Sequence, residues 1–573
     1  MDWSFCVLLL FLPLTYCQEM FKDPGFETLA EWSCYLTQCD LVTDKVEGNF
    51  ALKVSNRTHY YQGPSQTVDS IVPNGQYEAS VYVKLLNDEP TVLGQHISLT
   101  VEFGLPGGKK DRLYVPAADK PMVTSSDGWI HLQGDFSAPD TPLRSTRLYV
   151  SGPHPMVNFL VDSASLKVAP KAPQTWKADT DQVIDRIRKS NITIKVTWDT
   201  SVDPSTLEIQ LKQVKHGFPF GTAVRAQQYL HGDRRYSDFI NKHFNYAVLE
   251  NDLKWPINAR HSGAAHYDTA VEALNKLLSN GHRANAHCLL WSKVDKVPPW
   301  VRPLRGNALR KAVTHRISEA LNKTKGLVQH WDVNNENLHT QWFRETLQDR
   351  DYNMEVFRIA HQVDPSMKLF FNENTVTARG GDTMAYRDMA MQFKQAGVPV
   401  HGMGVQTHFR DLTSPDPYLL KKRLDLLAEV GLPLWVSELD LYSPDVNKRA
   451  DWYEIALRSL FGHPAVDGIM LWGFWSEQQW RGEPASLVSG PSFQTNAAGQ
   501  RFLDLLEKEW MTNMTTKVSH THRQIEVRGF HGDYELTATY HGRPLQTKTT
   551  FTLGKTDIHA KLHIPRLSAA IIG

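Results

Sequence analysis

Between residues 218 and 474 the chain repeats one pattern eight times: a short apolar run, a loop, then a stretch of helical periodicity. The runs are FPFGTAV (218–224), YAVLEN (246–251), NAHCLLW (285–291), VQHWDVNNE (328–336), KLFFNEN (368–374), GMGVQTHF (402–409), PLWVSELD (433–440) and GIMLWGF (468–474). Between them, stretches such as TAVEALNKLLSNG and ALRKAVTHRISEALN place apolar residues every three or four positions, as amphipathic helices do. Eight strand-plus-helix units in about 300 residues match a (β/α)8 (TIM) barrel in number and size. The competing doubly wound sheet usually carries a glycine-rich first turn, and no G-x-G-x-x-G follows the first run. A central barrel is therefore expected over 177–510.

The flanks have a different texture. Residues 18–165 contain SVYVKLL, HISLTVEF, WIHLQGDF, TRLYVSG and NFLVDSASLKV, short alternating runs separated by turns. That is the pattern of an antiparallel β-sandwich of jelly-roll type. Residues 166–176 have the Pro and Lys content of a linker. The tail, 519–573, returns to strands (QIEVRGF, YELTATY, TKTTFTL, IHAKLHI) and reads as a small C-terminal β module. The chain opens with an apolar run from Phe5 to Leu14 and turns polar at Gln18, so residues 1–17 read as a secretory signal peptide. The run is too short to span ~30 Å of hydrocarbon. A secreted chain with no membrane partner after signal removal is expected, and N-x-[ST] sequons at Asn56, Asn191, Asn322 and Asn513 fit that route. Cys34 and Cys39 lie in a turn-like stretch and are spaced to close a small disulfide, whereas Cys288 reads as a buried free thiol.

Lys+Arg and Asp+Glu both number 62, so the net charge is zero. That balance argues against a nucleic-acid partner, because neutralising phosphates supplies most non-specific affinity for such polymers. No C-x-x-C pair or H-E-x-x-H helix is present, so neither a metal nor an organic cofactor is expected. A monomer is expected.

Barrel enzymes carry their chemistry at the carboxyl ends of the strands. Here the second run ends in Glu250-Asn251, with Lys254 and Trp255 just beyond, and the third carries His287 and Trp291. The fourth ends in Asn335-Glu336, the fifth in Asn372-Glu373, and the sixth in Gln406 and His408. The seventh ends in Glu438, and the eighth supplies Trp472, with Trp480 in the following loop. A single carboxylate at a strand end is ordinarily a satisfied structural group. Several converging on one mouth carry a desolvation penalty that calls for partners or a ligand. Two carboxylates, amide and imidazole hydrogen-bonders and indole faces together make the set a glycosidase needs: one carboxyl to protonate the leaving oxygen, one to meet the anomeric carbon.

WDVNNE (331–336) resembles the acid/base motif W-D-V-V-N-E, and WVSELD (435–440) the nucleophile motif E-L-D, of glycoside hydrolase family 10, the endo-β-1,4-xylanases. FNYAVLENDLKW (244–255), HCLLW (287–291), FFNEN (370–374), GMGVQTHF (402–409) and LWGFW (471–475) match the same family in the same order, and the LWGFW…AAGQRFLDLL ending resembles most its plant and animal branch. The resemblance implies that Glu336 is the general acid/base and Glu438 the nucleophile of a retaining double displacement, with the carboxyls ~5–5.5 Å apart. It implies that Asn335 holds the sugar 2-hydroxyl and that His408 hydrogen-bonds Glu438. Glu250, Asn251, Lys254, His287, Trp291 and Gln406 then grip sugars on the non-reducing side, and Trp472 and Trp480 roof the site. The chain departs from the family where N-D-Y becomes Asn372-Glu373-Asn374, where R-G-H becomes Asn285-Ala286-His287, and where Asn334 replaces Val.

The sandwich, through FKDPGFET (21–28), NRTHYYQGPSQ (56–66), GWIHLQGDF (128–136) and NFLVDSASL (158–166), resembles carbohydrate-binding modules of the family 4/9/22 type. The resemblance puts Tyr61, with Tyr60 beside it, where such modules stack a sugar; Ser151 stands where they tend to have an acidic residue. The reading is thus a secreted endo-β-1,4-xylanase whose partner is plant cell-wall polysaccharide. A β-1,4-glucanase or mixed enzyme is the same-class alternative. A catalytically weak polysaccharide-binding protein is the different-class one, disfavoured by the presence of both Glu336 and Glu438.

Overall fold

The computed structural model describes residues 18–107, 111–263, 265–410 and 413–566. The expected signal peptide, residues 1–17, lies outside the described residues, as do the last seven positions of the C-terminal module. No helix among the described residues is long and apolar enough to cross a membrane.

The amino-terminal sandwich forms as expected from two antiparallel sheets. The first runs Gln38–Val42, Ala51–Ser55, Phe159–Val168, Gln76–Leu85, Trp129–Ser137, and the second Ser65–Thr67, Ser145–Ser151, Gln95–Gly104, Arg112–Val123. Strand Gln76–Leu85 alternates strictly, burying Tyr77, Ala79, Val81, Val83 and Leu85 against Leu99, Val101 and Phe103 of the opposite sheet. Cys34 and Cys39 are disulfide-bonded and Cys288 is a buried free thiol.

The barrel is present, with its strands on the expected apolar runs. Its parallel ladder runs through strands Phe220–Val224, Tyr246–Leu249, Arg283–Asn285, Leu290–Trp291, His330–Asn335, Lys368–Glu373, Gly402–Phe409, Leu434–Leu441 and Val466–Leu471. The nine segments make eight strands, because the third is interrupted after Asn285 and resumes at Leu290. An isolated bridge between Ala286 and Trp331 closes the circle across that interruption. Tyr246, Phe370, Trp435 and Met470 pack together as one interior layer. Gly468 makes room for it: a Cβ there would meet the Trp435 indole at 2.7 Å.

Two expected boundaries are corrected. Strand Phe159–Val168 runs into the expected linker, and helix Trp176–Arg188 starts on that linker's last residue. Residues 189–216, assigned by the sequence to the barrel, belong instead to the C-terminal module. Strand Lys189–Trp198 lies between Gln524–Phe530 and Ile558–Ile564, and Leu207–His216 lies between Asn513–Lys517 and Gly532–Tyr540, whose other neighbour is Arg543–Leu553. Both inserted strands bury every second residue, including Ile192, Ile194, Val196, Leu207, Ile209 and Leu211. Those faces need a partner sheet, and the chain supplies it more than 300 positions later.

The sandwich sits directly on the barrel. Strands Arg112–Val123 and Trp129–Ser137 pack on helix Gly380–Gln395 at a glycine contact, where a Cβ on Gly134 would come within 2.6 Å of the Gly381 nitrogen. Arg423 donates to both Asp135 and the Thr377 carbonyl, with the Arg423 and Asp135 side chains only 5% and 2% exposed. Lys120–Asp388 (2.9 Å) and Lys422–Glu78 (2.7 Å) flank that pair. Removing one member of a buried pair leaves an uncompensated charge, which typically costs about 3–5 kcal/mol. Arg423→Met is therefore expected to lower the calorimetric unfolding transition by several degrees, and an unchanged transition would show the pair to be dispensable.

Candidate active site

All twelve barrel residues to which the family resemblance assigns a role line one cleft of about 550 Å³ at the carboxyl ends of the strands, whereas Trp255, Asn372 and Glu373 lie behind its lining. One wall comes from the loop after the second strand. Lys254 Nζ bonds Asn251 Oδ1 at 2.9 Å and lies over the Trp291 and Trp472 rings at 5.3 and 5.7 Å. Glu250 Oε2 pairs with Arg225 Nε at 2.8 Å. His287 is buried, with Nδ1 2.8 Å from Asp332 Oδ2 and its ring edge-on to Trp472. That contact turns Nε2 toward Glu438, 3.9 Å away.

Glu336 ends the fourth strand in the left-handed region, φ +57°. Backbone held there by a residue other than glycine stores strain, which persists where surrounding contacts over-determine it. Here the Glu336 N–H donates to the Asn372 carbonyl at 2.9 Å, and the Trp291 indole donates to Glu336 Oε2 at 3.1 Å. Glu438 lies in the carboxyl-terminal half of the seventh strand, Leu434–Leu441, and is 5% exposed. Asn372 Nδ2 donates to its Oε1 at 2.8 Å, and His408 Nε2 lies 3.2 Å from its Oε2. Asn372 also donates to Asn335 Oδ1 (2.9 Å), as does Gln406 Nε2 (3.2 Å). With its oxygen occupied twice, the Asn335 amide is oriented. Its buried Nδ2 has no partner among the described residues.

Burial works against protonating His408, but the charge and contact of Asp440, 3.0 Å from Nδ1, and then Glu438 outweigh it and raise the imidazole to about 9. Burial likewise works against ionising Glu438. The hydrogen bond from His408 and the positive charges of His287, His408 and Lys254 prevail and hold this carboxyl below the usual range. Asp440 is in turn fixed by Trp480 Nε1 (2.6 Å) and Arg481 Nη1 (2.9 Å). One cleft thus contains a stabilised carboxylate and a second, partly exposed carboxyl on strained backbone.

Asp332, Asp440, Arg225 and the bridging role of Asn372 escaped the sequence reading. The two aspartates stood inside the motifs WDVNNE and WVSELD, and that position was the available signal. The unusual Glu373 is fully buried, accepts the Leu338 N–H at 3.1 Å, and is pushed well above the carboxylate range by burial and then by the charge of Glu336. Asn334 is satisfied internally, accepting from Ser292 and donating to Asn353. Tyr60 and Tyr61 lie apart, on a second cleft of about 1100 Å³ in the sandwich.

The model of glycosyl hydrolase family 10 matches residues 209–502, and that of a carbohydrate binding domain matches residues 18–156. The chain belongs to glycosyl hydrolase family 10. Endo-1,4-beta-xylanase 1 of Arabidopsis thaliana is 30% identical over 511 residues, 88% of this chain and 51% of that protein. The anti-sigma-I factor RsgI6 of Acetivibrio thermocellus is 37% identical over 377 residues, 66% of this chain and 48% of that protein. The chain thus spans about half the length of these curated relatives. The crystal structure of xylanase 10B from Thermotoga petrophila RKU-1 in complex with xylobiose aligns with a TM-score of 0.47 at 22% identity, covering 51% of this chain and 94% of that one.

The imidazole of this family 10 site makes a pH signature. A histidine raised from 6.5 to about 9 in the fold stabilises the protein fully below about pH 6.5, and that contribution fades as pH climbs to about 9. Comparing thermal stability of the parent with His408→Gln across this range is expected to show a difference that is largest in acid and shrinks toward pH 9. A pH-independent difference would contradict the assignment of the charge.

Proposed function

We propose that the protein is a secreted, monomeric, retaining endo-β-1,4-glycanase that hydrolyses xylan by double displacement. The observation that carries this reading is the unequal setting of two carboxyls in one cleft. Glu438 is held ionised by His408 and Asn372, whereas the Glu336 carboxyl accepts, among the described residues, one hydrogen bond, from the neutral indole of Trp291. A nucleophile must be charged, and these surroundings hold Glu438 in that form.

In the first step Glu336 gives its proton to the glycosidic oxygen while a Glu438 oxygen attacks the anomeric carbon. The carbon–oxygen bond to the leaving sugar breaks and a glycosyl ester forms. Glu336, now ionised, then removes a proton from water, which attacks the same carbon and releases Glu438. The free Nδ2 of Asn335 is the donor for the sugar 2-hydroxyl. Glu250, Asn251, Lys254, His287, Trp291 and Gln406 hold the non-reducing side, Trp472 and Trp480 cover it, and Tyr60 and Tyr61 serve the sandwich. Family membership and the Arabidopsis thaliana xylanase support xylan as substrate. The Cys34–Cys39 disulfide and the exposure of all four sequon asparagines support secretion.

Reducing-sugar release from xylan is expected to exceed that from carboxymethyl cellulose and to fall on the order of 10⁴-fold in Glu438→Ala. Release that persists in the variant would remove Glu438 as nucleophile. Proton NMR of nascent products is expected to show the β-anomer first, and an α-anomer would rule out double displacement.

A further inference from the structure

The sandwich cleft is floored by Ser98, Thr100 and Ser151 and walled by Tyr60, Tyr61 and Tyr114. One strand and one helix establish where it lies relative to the catalytic mouth. Along helix Gly380–Gln395, strand Arg112–Val123 touches Gly381 through Ala118 and Asp119, pairs Lys120 with Asp388 about two turns on, and brings Val123 to a cavity shared with Gln392 and Phe393. The strand therefore descends the helix from its amino end to its carboxyl end. In a (β/α)8 barrel the amino end of each helix adjoins the loops that carry catalysis. Residues 112–117 consequently project past the catalytic face, and this half of the strand gives Arg112, Tyr114 and Pro116 to the sandwich cleft.

A ladder of side chains joins the two clefts. His96, on the sandwich cleft, reaches Asp119 at 3.1 Å; Asp119 meets Asp382 across the junction; Thr375 donates to Asp382. Thr375 lines the catalytic cleft together with Arg379. Pro116 and Asp119 are three strand residues apart, ~10 Å. Arg379 and Asp382 are within one helical turn, ~4.5 Å. The glycine contact and the buried Arg423–Asp135 pair hold this arrangement as a rigid junction rather than a tether.

We propose that the two clefts form one track, so that a single β-1,4-linked polysaccharide chain occupies the catalytic cleft and, leaving it past Thr375 and Arg379, the sandwich cleft as well. The proposal rests on the reading that the catalytic cleft binds such chains. Rigidly joined sites turn the second contact into an intramolecular event, and affinity rises by ~10²–10⁴ once a ligand is long enough to reach both.

Calorimetric titration of the full-length Glu438→Gln protein with xylotriose, xylopentaose and a long soluble xylan fraction tests this. Affinity is expected to step up about 100-fold between the short and long ligands, with one long chain per protein, and the step is expected to vanish when Tyr60→Ala and Tyr61→Ala are added. Those tyrosines are 66% and 43% exposed, so the substitutions spare the core. No step, a step that survives the tyrosine substitutions, or two long chains per protein would overturn the single track. A parent protein that neither cleaves xylan nor binds xylotriose would instead overturn the reading on which the proposal rests, a distinguishable failure.

Discussion

The carboxylate of Glu438 is buried, and keeping a buried charge stable organises the whole mouth of the barrel. An isolated carboxylate in such a place is penalised by several kcal/mol, so it persists only with donors and opposite charge around it. Asn372 and His408 provide these directly. Each is held by a further shell: Asn372 by Asn335 and Ser437, His408 by Asp440, which Trp480 and Arg481 fix. The arrangement draws on the fourth through seventh barrel strands and the loop beyond the eighth. No single element creates the site; the closed ladder does, by bringing strand ends 102 positions apart in sequence to one cleft.

The same logic of close approach operates at the junction between sandwich and barrel. Two glycines let backbones meet, and a buried ion pair gives the contact direction as well as strength. Interfaces between domains of one chain are by default movable. Here the absence of side chains at the contact and the depth of Arg423 make it resemble a packed core.

Much of this is legible in the sequence. The eight barrel strands stood out because strands covered on both faces read as continuous apolar runs, and their polar terminators marked the cleft residue by residue. The acid-base pair was carried by WDVNNE and WVSELD, and both glutamates lie in the cleft. Asp332 and Asp440 were passed over because they act through His287 and His408, and a charge that works through a neighbour leaves no mark of its own in composition or spacing. The assignment of 189–216 to the barrel failed for a different reason. Strand character is a local property, but the choice of partner sheet is not, and nothing near Lys189 announces a mate at Gln524.

That long-range pairing has a consequence for how the molecule is made. Lys189–Trp198 and Leu207–His216 leave the ribosome before any of the barrel, yet the strands that flank them arrive only after it is complete. Throughout translation of the catalytic domain, two apolar-faced ribbons wait with open edges, a template for wrong pairing between nascent chains. The strands that follow the barrel are thus the stitch for those that precede it, and a chain released before them would end with its seam undone.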